Sequence, residues 1–234
     1  MNIKNQLGLI AAMILLYANS FGQTKESGSE KIGVAEKSAE TYFDLMINVV
    51  STNLNYGSSN SALSDYKESV KGLNAGVSFQ AGITSRFSLV SELYYIRKGG
   101  ELTANNPLTT QKTILRLNAF ELPVLARFHF GKFYMNAGPS IAYNFSGTRK
   151  IDDVSTAISF KNSIGAFNRL DAGIQIGGGF MFPIKQKRLA IDIRYCYGLS
   201  NISYDKEMHN RGLIITVHFS KRWKTNPLAK NRTI

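Results

Sequence analysis

Apolar and polar residues alternate with period two through most of this chain, as in strands whose successive side chains point to opposite faces. One stretch shows it most clearly. Phe133, Met135, Ala137, Pro139, Ile141, Tyr143 and Phe145 share one face, and Tyr134, Asn136, Gly138, Ser140, Ala142 and Asn144 share the other. Eight such segments are predicted, over 42–51, 70–83, 87–97, 113–130, 133–145, 167–182, 188–198 and 211–219. The gaps between them alternate long and short. Thr84-Ser85-Arg86, Gly131-Lys132 and Pro183 to Lys187 are tight, whereas 52–69, 98–112, 146–166 and 199–210 are long and polar. Short turns at one end and long loops at the other are the pattern of an eight-stranded antiparallel transmembrane β-barrel, with periplasmic turns and external loops.

The composition of the two faces decides which one points outward. Phe120, Leu122, Val124, Ala126, Phe128 and Phe130 oppose Glu121, Pro123, Arg127 and His129. Leu170, Ala172, Ile174, Ile176, Phe180 and Phe182 oppose Asp171, Gln175 and several glycines. Leu189, Ile191, Ile193, Tyr195 and Tyr197 oppose Arg188, Asp192, Arg194 and Cys196, and Leu213, Ile215, Val217 and Phe219 oppose Thr216, His218 and Ser220. A soluble, lipocalin-like barrel would place its apolar face inside and cover the other with Lys and Glu. These polar faces instead hold Gly, Ser, Asn and isolated charges of both signs, which suits a crowded interior.

A charge on the lipid face would cost about 2–4 kcal/mol at the midplane. Glu92, Glu121, Arg127, Asp171, Asp192 and Arg194 are therefore assigned inward. A barrel of eight strands is just wide enough to be filled by its own side chains. These six residues are expected to form an ion-pair network that plugs the barrel and sets its register. Each arginine should meet at least one carboxylate, with Arg127 and Arg194 as hubs, because a lone buried charge is strongly unfavourable. A proton or ion path is the alternative use of the same residues. Tyr94, Tyr95, Phe128, Phe130, Phe133, Tyr143, Phe145, Phe180, Phe182, Tyr195, Tyr197 and Phe219 lie mostly near segment ends, where rings form two girdles at headgroup level.

The ends of the chain add a location. Residues 1–22 read as a secretory signal, with Lys4, an apolar run from Leu7 to Tyr17, and Ser20-Phe21-Gly22 before a cut at Gln23. That run falls short of the roughly 20 residues a membrane helix needs, and Gln23 rather than Cys argues against a lipid anchor. Residues 23–41 are a flexible polar lead-in, 42–220 the barrel, and 221–234 a basic tail. The tail carries Lys221, Arg222, Trp223, Lys224, Lys230 and Arg232. It suits anionic headgroups or a periplasmic partner, or is a disordered leftover.

Net charge is +12. For an exported chain, outer membrane lipids and lipopolysaccharide phosphates are the expected counterpart, and nucleic acid is not. One cysteine, Cys196, excludes an internal disulfide. No cofactor or metal is expected. His129, His209 and His218 are not spaced as ligands, and the glycines from 173 to 179 sit inside a strand with no Lys-Ser/Thr after them. The one catalytic candidate is His209 near Ser203, Asp205 and Glu207, residue types any solvated loop contains. The chain is expected not to be an enzyme.

Six stretches occur in order: SELYYIRKGGEL (91–102), FELPVLARFHF (120–130), MNAGPSIAYNF (135–145), DAGIQIGGGF (171–180), IDIRYCYGLSNI (191–202) and HNRGLIITVHF (209–219). Together they make the chain resemble the PorT-like outer membrane β-barrel family of Bacteroidetes, over roughly 42–219. The resemblance implies an eight-stranded outer membrane barrel and, for some members, a part in type IX secretion and gliding motility, with secretion-system proteins as partners. The expected role is structural or accessory. A narrow porin-like transport or ligand-binding barrel is the alternative. Barrels of this kind usually end on an aromatic, here Phe219, and the tail beyond it departs from that pattern.

Overall fold

A computed structural model of the chain describes residues 41–184 and 187–222. The expected signal segment, the lead-in up to residue 40 and the tail from Trp223 onward lie outside the described residues. The strands, in order, are β1 (Tyr42–Asn55), β2 (Lys67–Glu68), β3 (Val70–Gly82), β4 (Phe87–Leu102), β5 (Thr113–Phe130), β6 (Phe133–Ile151), β7 (Val154–Ala157), β8 (Leu170–Ile184), β9 (Lys187–Gly198) and β10 (His209–Arg222). Short β2 pairs with β4, and short β7 pairs with β6. The other eight strands are the barrel staves. Every stave pairs antiparallel with its neighbours, and β1 pairs with both β3 and β10, which closes the sheet. Closure satisfies backbone groups that an open edge would leave bare in lipid.

Burial follows the pleat inside out. On β1, Phe43, Leu45, Ile47 and Val49 are exposed, while Asp44, Met46, Asn48 and Val50 are buried. Leu73 is 72% exposed, whereas Arg127, Arg194 and His218 are 0% exposed. A water-soluble barrel would reverse that assignment. The exposed apolar residues form a continuous band only a membrane can cover.

Three staves run well past the predicted segments. β1 extends to Asn55, β4 to Leu102 and β6 to Ile151. In β1 the outward positions Ser51, Asn53 and Asn55 are polar, and in β4 and β6 local irregularities break the alternation before the pairing ends. In β6, Phe145 and Ser146 are both exposed where the β5–β6 register shifts between Asn118 and Ala119. In β4, Gly99 takes φ 146°, and a Cβ there would collide with the Leu115 carbonyl, so glycine is needed at that kink. The basic tail begins later than expected, since Lys221 and Arg222 still pair with Phe43 and Tyr42. One aromatic assignment is corrected. Tyr94 is not part of a girdle but is buried in the lumen, because its neighbour Tyr95 takes the outward side of the pleat.

The long-loop end is closed by an apolar lid. A 3-10 segment (Ser58–Tyr66) contributes Leu63, and the loops contribute Phe167, Ile202 and Met208. They pack on Leu54, Leu102, Leu115 and Leu117 from the upper ends of β1, β4 and β5, and on Tyr56 just beyond β1.

Candidate functional site

Period-two geometry sends every second residue of each stave into the lumen, and the lumen is polar at three levels. At the centre, Arg194 of β9 reaches across the barrel. Its Nη1 donates to Glu92 Oε2 at 2.7 Å and to Gln175 Oε1 at 3.1 Å. Its Nε donates to Asp192 Oδ1 at 3.2 Å, and its Nη2 to Thr216 Oγ1 at 3.0 Å. Four strands are thereby tied through one guanidinium. Charged bonds of this kind are short and strong, and the planar fork gives them direction.

Toward the short-turn end, His218 lies between two carboxylates, with Nδ1 at 3.3 Å from Asp44 and Nε2 at 3.1 Å from Asp192. Asp44 also faces Arg188 at 3.6 Å. Asp192 accepts from the Tyr134 hydroxyl at 3.1 Å and sits 3.8 Å from Arg127. Arg127 stacks over the Tyr134 ring at 4.1 Å and donates to Gln80 Oε1 at 3.0 Å, the oxygen Arg188 also uses, at 3.1 Å. Toward the long-loop end, Lys98 pairs closely with Asp171 and lies 3.7 Å from Glu121. Asn210 and Ser200 complete the shell of Asp171 at 2.7 and 2.9 Å. Gln175 joins the levels by donating to Glu121 and to the Tyr94 hydroxyl.

The six residues assigned inward from sequence all face the lumen. Arg194 is brought onto Glu92 and Asp192, Arg127 onto Asp192, and Glu121 and Asp171 onto Lys98. Lys98, Arg188, Asp44 and His218 were not included, yet they take part in most of the lumen ion pairs. Arg188 and His218 carried a visible signal, since each sits on the polar face of its strand. Asp44 carried the same signal in β1, among Phe43, Leu45, Ile47 and Val49. Lys98 was hidden by the kink at Gly99.

The loop residues make no catalytic group. Ser203 Oγ donates to Asp205 at 2.7 Å, while His209 Nδ1 faces the Ser200 carbonyl at 2.9 Å and Nε2 lies 3.5 Å from Glu207. The serine and the histidine therefore have separate partners, with no nucleophile–base pair between them. The Ser203 hydroxyl holds the Asp205 carboxyl below its ordinary range. Ser88 does meet His129, at 2.9 Å, and its oxygen accepts from Gln80, but no carboxylate pairs with His129 among the described residues. No cluster of three His, Cys, Asp or Glu suited to a metal ion occurs among the described residues. Beside the lid residues lies a cavity of about 240 Å³, walled by Tyr56, Leu115, Phe167 and Met208, with Arg149 and Lys206 beside them. Burial pushes the Tyr56 phenol up to about 12.

The barrel is thus closed, apolar outside and charged inside. Residues 43–204 match the model of a family described as outer membrane protein beta-barrel domain. The chain belongs to that family. It is an outer membrane protein, so the long loops face outside and the short turns the periplasm. No curated protein sequence matches the chain. Among solved structures, the attachment invasion locus protein Ail of Yersinia pestis is similar at 10% identity and TM-score 0.41, over 77% of this chain and 99% of that one. OprG of Pseudomonas aeruginosa is similar at 9% identity and TM-score 0.44, over 81% and 98%. AlkL, solved in lipid bilayers, is similar at 9% identity and TM-score 0.41, over 89% and 100%. Likeness of this degree says nothing of activity.

Proposed function

We propose that this outer membrane barrel is a non-enzymatic accessory protein, closed to solute flow, that serves protein secretion. The closed state is supported by one observation above all. Ion pairs and hydrogen bonds run from Arg188 through Asp44, His218, Asp192, Arg194, Gln175 and Glu121 to Lys98, and the apolar lid lies above them. In this reading the network plugs the lumen and pins the register, because slipping a strand by one residue would turn its charges toward lipid. Secretion is the finer part. It rests on the resemblance to the PorT-like family of Bacteroidetes, some members of which act in type IX secretion and gliding. Secretion-system proteins would be the partners.

Photo-crosslinkers at the exposed residues Val154 of β7 and Ile164 of the loop after it test this in cells. Adducts to other envelope proteins, with loss of secreted proteins on deleting the gene, are expected. Unchanged secretion with no protein adduct refutes the secretion role. A second reading, a ligand-binding barrel, is favoured by the cavity lined by lid residues. A small molecule that copurifies and is released only on denaturation would select it.

A further inference from the structure

The outward face of β4, β5 and β6 changes character in register as it rises toward the external loops. Leu93 and Leu122 are followed one step up by the rings of Tyr95, Phe120 and Phe145. Phe120 and Phe145 lie 5.2 Å apart, and Tyr95 is 6.4 and 6.3 Å from them. The next rung aligns Arg97, Asn118 and Ser146, and the rung above aligns Gly99, Arg116 and Thr148. The polar rung is prearranged. Asn118 Oδ1 accepts from the Tyr95 hydroxyl at 2.7 Å and from Arg97 Nε at 3.2 Å, and Asn118 Nδ2 donates to Ser146 Oγ at 3.0 Å. Arg97 is exposed and held by its Nε, and no hydrogen bond among the described residues engages its terminal nitrogens.

Four other cations of the external end are already engaged. Arg211 donates to the Gly198 carbonyl at 2.6 Å and stacks on Tyr197 at 3.6 Å. Arg169 covers Phe160 at 4.9 Å. Lys150 pairs with Asp153, and Lys112 with Glu101. Arg97 and Arg116 are exposed and meet no carboxylate among the described residues.

We propose that Arg97 and Arg116 bind a phosphate of a phosphorylated glycolipid of the outer leaflet, with Tyr95, Phe120 and Phe145 as the shelf for its first acyl carbons. A guanidinium fork matches phosphate geometry, and two forks on adjacent rungs give two such faces. The aromatic shelf directly beneath selects a lipid over a free anion, since rings at this depth lie at the headgroup boundary. The site gives the barrel a fixed annular lipid and a preferred depth. It rests on the outer membrane location and is independent of any secretion role.

The test titrates the full-length protein, purified in detergent, with diphosphoryl lipid A, with its phosphate-free form and with phosphatidylglycerol. Saturable binding of diphosphoryl lipid A is expected. It should weaken at least tenfold in Arg97→Gln/Arg116→Gln, and the phosphate-free form should not saturate. Both side chains are exposed, so the variant keeps its fold, which the heat-dependent gel shift of the barrel verifies. Lys132→Gln, at a short turn on the opposite rim, should leave binding unchanged. Equal binding by the double variant, an equal loss in Lys132→Gln, or equal affinity for phosphatidylglycerol would each overturn the proposal.

Discussion

Replacing Arg194 with methionine removes the central cation of the lumen while keeping most of its volume. The consequences for its two carboxylates differ. Asp192 still has His218 at 3.1 Å, the Tyr134 hydroxyl at 3.1 Å and Arg127 at 3.8 Å. Glu92 keeps nothing comparable. Arg194 is its one ion-pair partner among the described residues, and Glu92 Oε1 has no hydrogen-bond partner. Stranding a buried charge in this way costs about 3–5 kcal/mol, and most of that falls on Glu92.

A second substitution, Glu92→Gln, removes the stranded charge. The double variant should therefore recover more than half of the loss, a coupling that a double-mutant cycle isolates. The assay is urea unfolding of the detergent-solubilised protein, read on gels as the fraction that still migrates in its compact, unboiled position. A loss below about 1 kcal/mol in Arg194→Met would refute the reasoning, since that is within the range of a solvated surface pair. A double variant no more stable than the single would refute it equally.

Two further outcomes follow from the lid. Phe167 is 1% exposed in the apolar cluster. Phe167→Ala should cost about 3–5 kcal/mol locally, so protease added outside cells should cut the loops faster while the barrel's gel shift survives. The Tyr56 phenol is raised from 10.0 to about 12 by burial, so the fold favours its neutral form. That stabilisation, at most about 2.7 kcal/mol, is complete below pH 10 and is lost as pH rises toward 12. Loop proteolysis should therefore accelerate over that window, and Tyr56→Phe should abolish the acceleration.

The staves were legible because β pleating imposes one period on both faces, and three tight turns punctuate it. Glu92, Glu121, Arg127, Asp171, Asp192 and Arg194 were legible as inward because each interrupts an apolar alternation. Their partners were less so. His218 meets Asp44 only because β10 closes onto β1, where Ser220 stands opposite Asp44, a register no local pattern specifies. Lys98 sits where the β4 alternation breaks before Gly99. Tyr94 and Tyr95 are chemically alike, so only the pleat decides which enters the lumen. The lid was invisible for another reason. Leu63 comes from one long connection read as polar, Ile202 and Met208 from another, and Phe167 from the start of a segment read as strand, so no periodicity links them.

The most direct test of a sealed lumen is single-channel recording of the refolded full-length protein in planar bilayers. The ion-pair network under an apolar lid predicts no steady conductance steps for the wild-type protein at neutral pH. Stable, reproducible steps from protein whose gel shift shows it folded would contradict a plugged barrel.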